Sequence, residues 1–163
     1  MTQPLVNDCF RARKVQIVIA DDEPRARQAL RMVLSLATWD TADQVHVAVE
    51  VVGEAANGQE VLTQVAQWRP EVVVMDARMP VMDGFEATRQ IKELWPAVRV
   101  VMLTMHPDGR AEALAAGADA YLLKGCTLRE LLEAIASPNR PDPTPGNAAR
   151  PRVSSCRKGA EQL

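Results

Sequence analysis

The chain has 163 residues, 47% of them apolar and 25% charged, which is enough for one compact α/β or α+β domain with a substantial core and too short for two. It contains no run of about eighteen apolar residues, and the N-terminus lacks the apolar stretch of a signal peptide, so a cytoplasmic location without membrane insertion is expected. The net charge of −2 is uneven: residues 1–14 carry +2 and residues 137–163 carry +3, leaving −7 on residues 15–136, an acidic centre unsuited to direct nucleic-acid binding.

Regular patterning begins at Val15. Val15 to Ala20 is β-branched and apolar enough for a buried strand, and it stops at Asp21-Asp22-Glu23-Pro24. Pro24 suits a first helical turn, acidic residues favour that end of the helix dipole, and Ala26, Ala29, Leu30, Val33, Leu34 and Leu36 recur at helical spacing. Thr38 to Asp43 breaks the pattern, and Val45 to Val52 reads as a second strand ending at Gly53. Asn57-Gly58 makes a turn into a helix with Val61, Leu62, Val65, Ala66 and Trp68 on its apolar stripe, closed by Pro70.

Val72 to Met75 is the third strand and runs into Asp76. A turn-prone segment through Pro80 and Asp83-Gly84 leads to a third helix carrying Phe85, Ala87, Thr88, Ile91 and Leu94, and Pro96 ends it. Val98 to Leu103 is strand four, Arg110 to Ala116 a short helix four, Ala120 to Leu123 strand five, and Leu128 to Ala136 helix five. Five βα repeats with short, doubly buried strands predict a parallel sheet covered on both faces, a doubly wound α/β sandwich of the flavodoxin-like kind. Residues 15–136 form that domain, 1–14 an N-terminal extension, and 137–163, with five of the eleven prolines, a disordered basic tail. Cys9, Cys126 and Cys156 lack the spacing of a zinc or redox pair and read as reduced thiols without a chemical role.

In an open parallel sheet, ligands bind outside the carboxyl ends of the strands. The predicted strands deliver Asp21 and Asp22, Asp76, Thr104 and Lys124 to that edge. Three acids so close repel one another unless a hard cation joins them, and Mg2+ suits an all-oxygen set. An acid left partly free can accept a phosphoryl group as a nucleophile, and Asp76 sits centrally for that role. Lys124 can pair with the acid and then with the phosphoryl oxygens, Thr104 offers a small hydroxyl to the new anion, and Tyr121 is large enough to follow the space Thr104 vacates. Taken singly, Asp21 and Asp22 could be helix caps, Asp76 a turn residue and Tyr121 packing; the joint pattern carries the assignment.

On these residues the chain resembles the response-regulator receiver domains, the CheY-like family. Val18 to Glu23 is similar to its acidic strand end, and Met75 to Gly84 to its phosphoacceptor strand and loop. Val101 to His106 and Gly117 to Lys124 are similar to its switch-hydroxyl and lysine segments, in wording closest to receivers of LuxR/NarL-type regulators. The resemblance implies strand order 2-1-3-4-5, Asp76 phosphorylated by a sensor histidine kinase, and Mg2+ on Asp22, Asp76 and the main-chain carbonyl of Arg78, with Asp21 acting mostly through water. It also implies Thr104 and Tyr121 as a switch pair and a face of helix four, strand five and helix five for partners, including a homodimer. Such a domain is a phosphoacceptor that assists its own phosphorylation and dephosphorylation, not an enzyme with a separate substrate.

The sequence departs from the pattern in a longer connection around Thr38 to Asp43, a shorter span from Thr104 to Lys124, Ala77 in place of a bulkier residue, and Gly125 in place of a common proline. One alternative is a transcription regulator that has lost its C-terminal helix-turn-helix. A lower-ranked alternative, an aspartyl-phosphate phosphohydrolase, wants a second acid two residues after the nucleophile, where Arg78 stands.

Overall fold

The computed structural model describes residues 12–40 and 45–137. In chain order the elements are β1 (Ala12–Ala20), α1 (Pro24–Ser35), β2 (Thr38–Asp40), β3 (His46–Ala55), α2 (Gly58–Trp68) and β4 (Val72–Met75). They continue with α3 (Gly84–Leu94), β5 (Arg99–Thr104), a 3-10 turn at Pro107–Gly109, α4 (Arg110–Ala116), β6 (Ala120–Leu123) and α5 (Leu128–Ala136). One six-stranded sheet runs in the order β2-β3-β1-β4-β5-β6. Apart from β2 every pairing is parallel, so the five predicted strands stand in the expected order.

The addition is β2. Thr38 to Asp40, read from sequence as a break, pairs antiparallel with His46 to Ala48 at the outer edge of β3. Three residues are too few to show a strand period, and the pairing is secured by tertiary packing, since half-buried Trp39 lies against the core beside Val15, Val47 and Ile135. Two boundaries also move. Strand β1 starts at Ala12 and places Arg13 and Lys14 in the ladder with β3, three residues before the predicted start. Strand β3 passes through Gly53 to Ala55 with a register shift opposite Ile17 and Val18; at Gly53 a Cβ would lie 2.2 Å from the Gln64 amide oxygen, so any larger residue there must displace the Gln64 side chain of α2. The proposed extension before Ala12 and the tail after Ser137 lie outside the described residues, as do Cys9 and Cys156.

The sheet separates two main cores. On one face Ile17, Ile19, Val74 and Val101 cluster with Leu34 of α1 and Leu131 of α5; on the other Val18, Val73, Met75 and Val100 cluster with Val61 and Val65 of α2 and Ile91 of α3. Each such side chain, fully buried, contributes about 1.5–3 kcal/mol. The alternation within β1, with Val18 and Ile19 on opposite faces, is the physical content of a strand buried on both sides.

The helices start and stop on local signals. Asn57, Asp83 and Thr127 each accept a hydrogen bond from a first-turn N–H, and Thr127 with Glu130 completes a reciprocal capping box. Gly117, at φ 99°, ends α4 in a conformation that costs other residues a clash. Pro107 and Gly109 lie in a 3-10 turn that leads directly into α4, which spans the residues expected for the short helix four. Among the described residues no helix is long and apolar enough to cross a membrane.

Candidate functional site

Because β1, β4, β5 and β6 run parallel, their C-terminal ends open on one side of the sheet. The backbone N–H of Asp76 donates to the Ala20 carbonyl at 2.9 Å, which sets the acidic ends of β1 and β4 side by side. Asp21 and Asp76 are buried and Asp22 is exposed, and one carboxylate oxygen from each lies within 4.8 Å of the others. The N–H of Lys124 donates to the Thr104 carbonyl at 2.7 Å and so fixes the lysine beside the end of β5.

The ammonium of Lys124 reaches across this edge. Its Nζ lies 2.6 Å from Oδ2 of Asp21 and 2.9 Å from Oδ2 of Asp76. Burial works against the charge on Lys124, but the hydrogen bonds and attraction of the two carboxylates outweigh it, and the pKa ends above the ordinary lysine value. The lysine therefore stays protonated as the counter-ion of a buried acid pair. Sequence reasoning paired Lys124 with Asp76 and missed the direct contact to Asp21; no spacing signal distinguishes the two.

Asp21 does not cap α1. Its Oδ1 accepts from the Glu23 N–H at 2.9 Å, while the cap itself is Glu23, which accepts from the Arg25 N–H at 3.3 Å. The other oxygen of Asp76, Oδ1, has only a long contact of 3.4 Å from the Arg78 N–H. One edge of the Asp76 carboxylate is thus tied to Lys124 and the other is lightly held. In the loop that follows, Val81 is a β-branched residue at φ 68° that is 83% exposed, a strained conformation five positions after Asp76.

Thr104 is fully buried, and its hydroxyl receives only a 3.4 Å contact from the His106 N–H. Tyr121 is turned inward. Its ring packs in a small cluster with Ala77, Phe85, Met102, Ala113 and Ala118, and its hydroxyl donates to the carbonyl of His106. Burial raises the Tyr121 pKa, the Gly109 N–H partly opposes that, and Asp108 and Asp76 push it further up. The sequence gives no sign of the parts taken by the His106 carbonyl and the Gly109 N–H, because both act through the backbone. Cys126 lines a groove with Asp21 and Lys124, and its thiol is pushed up by burial and then by Glu130, which keeps it protonated.

The three acids fit a small hard cation: all donors are carboxylate oxygens, two are shielded, and Lys124 neutralises Asp21 and Asp76 without a direct contact to Asp22.

The family model described as response regulator receiver domain matches residues 17–136. The chain is 36% identical over 123 residues to the transcriptional regulatory protein LnrK of Bacillus subtilis, covering 74% of this chain and 52% of that protein. It is 32% identical to the transcriptional regulatory protein DegU of Brevibacillus brevis, covering 80% and 52%. Among solved structures it resembles a LuxR-family two-component response regulator from Aurantimonas (31% identity, TM-score 0.66, covering 75% of this chain and 82% of that one). It also resembles the receiver domain of the putative response regulator NarL from Mycobacterium tuberculosis (30% identity, TM-score 0.65, 77% and 99%). The chain spans about half the length of the curated relatives it matches.

Proposed function

Since this chain belongs to the response regulator receiver family of two-component signalling, we propose that Asp76 is its phosphoryl acceptor and that a sensor histidine kinase is the donor. The observation that supports this most is the Lys124 ammonium bridging Asp21 and Asp76, with Asp22 within reach of the same point. In the transfer, a carboxylate oxygen of Asp76 bonds to phosphorus as the P–N bond of a phosphohistidine breaks; the electron pair returns to the imidazole, which takes up a proton. Lys124 then pairs with the phosphoryl oxygens, and the buried hydroxyl of Thr104 turns to donate to them. Tyr121, already inside, holds the segment around His106 and couples that turn to the surface of α4, β6 and α5, where a partner or second copy docks.

Asp21, Asp22, Asp76 and the main-chain carbonyl of Arg78 are the groups that would hold Mg2+, which supplies charge neutralisation for the transferring oxygens. The chain acts as a phosphoacceptor that assists its own phosphorylation and dephosphorylation, in the cytoplasmic compartment where histidine kinases present their phosphoryl group. The test is incubation with Mg2+ and acetyl phosphate, followed by intact mass. The wild type gains one phosphoryl group and Asp76→Asn gains none; equal uptake by the variant would remove Asp76 from the role.

A second reading is that this receiver serves in a transcription regulator, favoured by the relatives being named transcriptional regulatory proteins. Reading the genomic sequence beyond the Leu163 codon in all frames for a helix-turn-helix tests it.

A further inference from the structure

The shortened span from Thr104 to Lys124 brings the 3-10 turn Pro107–Gly109 over the ring of Tyr121. A Cβ built on Gly109 would stand 2.7 Å from the Tyr121 hydroxyl oxygen and 2.9 Å from Cζ of Phe85. The backbone of Gly109, at φ −86° and ψ 0°, lies in a turn region open to any residue, so what the glycine supplies here is space. Neither ring can retreat inward to make room: Phe85 and Tyr121 are each 4% exposed, and Ala77 and Ala113 of the same cluster are fully buried. Outward, the ring of Tyr121 has a way, because β6 is the edge strand of the sheet.

The hydroxyl of Tyr121 also ties the turn at both ends. It donates to the His106 carbonyl before the turn and accepts from the Gly109 N–H at its close. The His106 N–H in its turn reaches the Thr104 hydroxyl at 3.4 Å. A continuous polar path thus runs from Thr104 through His106 to the phenol, and it holds only while the ring is inside.

We propose that Gly109 is the positioning residue of the switch: its bare Cα leaves the space that Tyr121 occupies and its N–H holds the phenol there, so that the turn into α4 follows the hydroxyl of Thr104. The role of Thr104 rests on the receiver reading above; the placement of Tyr121 rests on packing alone.

Gly109→Ala in the full chain tests the placement through tyrosinate absorbance, Tyr121 being the only tyrosine. With the ring turned out, burial no longer raises the phenol pKa, and the native midpoint falls to that of the urea-unfolded chain. A midpoint that stays at the wild-type value would overturn the proposal, because the turn has then lifted in place of the ring. Tyr121→Phe removes the oxygen nearest the new Cβ, so Gly109→Ala lowers the urea midpoint less in that background than in the wild type. An equal loss would assign the space to Phe85 and overturn the proposal; where Gly109→Ala alone does not fold, recovery of the fold in the double variant supports it and failure to recover overturns it.

The role is tested with Mg2+ and acetyl phosphate. Gly109→Ala still gains its phosphoryl group by intact mass, but the 15N amide shifts that phosphorylation produces over α4 and β6 of the wild type are lost. Undiminished shifts in the variant would remove Gly109 from the switch. A wild type that gains no phosphoryl group would instead sink the phosphoacceptor reading and leave the titration result standing.

Discussion

Gly84 and Asp76 share one packed junction: a Cβ placed on Gly84 would stand 2.3 Å from the main-chain carbonyl oxygen of Asp76. The N–H of Gly84 also donates to the Ala77 carbonyl at 2.9 Å, so the first turn of α3 is stitched to the strand end that carries Asp76. Gly84→Ala must push these apart and is expected to cost about 1–3 kcal/mol of stability by overpacking. It also slows phosphoryl uptake, because the displaced backbone is that of Asp76. Urea unfolding midpoints with acetyl-phosphate kinetics measure both, and a variant as stable as the parent would contradict the junction described.

Lys124→Met removes the ammonium and leaves two buried carboxylates facing each other. Each charged acceptor that loses its partner costs roughly 1–3 kcal/mol, so the variant is less stable than the wild type at neutral pH without divalent cations. Mg2+ replaces the missing positive charge and therefore stabilises the variant more than it stabilises the wild type. Urea midpoints with and without millimolar Mg2+ check this. An equal or smaller Mg2+ increment in the variant would mean that the acids do not share a cation.

Tyr121 is the single tyrosine of the chain, so absorbance of tyrosinate reports on it alone. Its folded pKa is raised above the ordinary value of 10.0, burial being the main cause. The fold therefore favours the protonated phenol: the associated stability is complete below the unfolded pKa and is lost as pH rises from there through the folded pKa. A titration of the native protein has its midpoint above that of the urea-unfolded chain. Coincident midpoints would show that the hydroxyl is solvated and not held by His106.

Trp39→Ala tests whether the added edge strand contributes to the fold. The side chain is half-buried against the core, so its truncation is expected to cost roughly 1–3 kcal/mol, short of the cost for a fully buried tryptophan. Phosphoryl uptake at the other end of the sheet stays unchanged in the folded variant. A neutral urea midpoint would reduce β2 to a surface loop.

The parts of this molecule legible in its sequence are those carried by local pattern. The β-branched runs at Val15 to Ala20 and Val72 to Met75, the turn residues after them, and acids at strand ends each act within a few positions of themselves. Strand β2 was not legible because Thr38 to Asp40 becomes a strand only through pairing with His46 to Ala48. The same reason hides the Lys124–Asp21 contact and the burial of Arg99, whose sequence context as the first residue of a strand gives no hint of a guanidinium held inside.

The bridge from Lys124 has a consequence for the nascent chain. Lys124 and Asp76 lie 48 positions apart, and Asp21 is further still, so the acid cluster has no ammonium until the last strand has joined the sheet. Such long-range closure comes late, after the loops between have been ordered. During synthesis the carboxylates at the ends of β1 and β4 are thus left repelling one another while most of the polypeptide has already emerged. The counter-ion of the buried acid pair thus arrives only with completion of the domain.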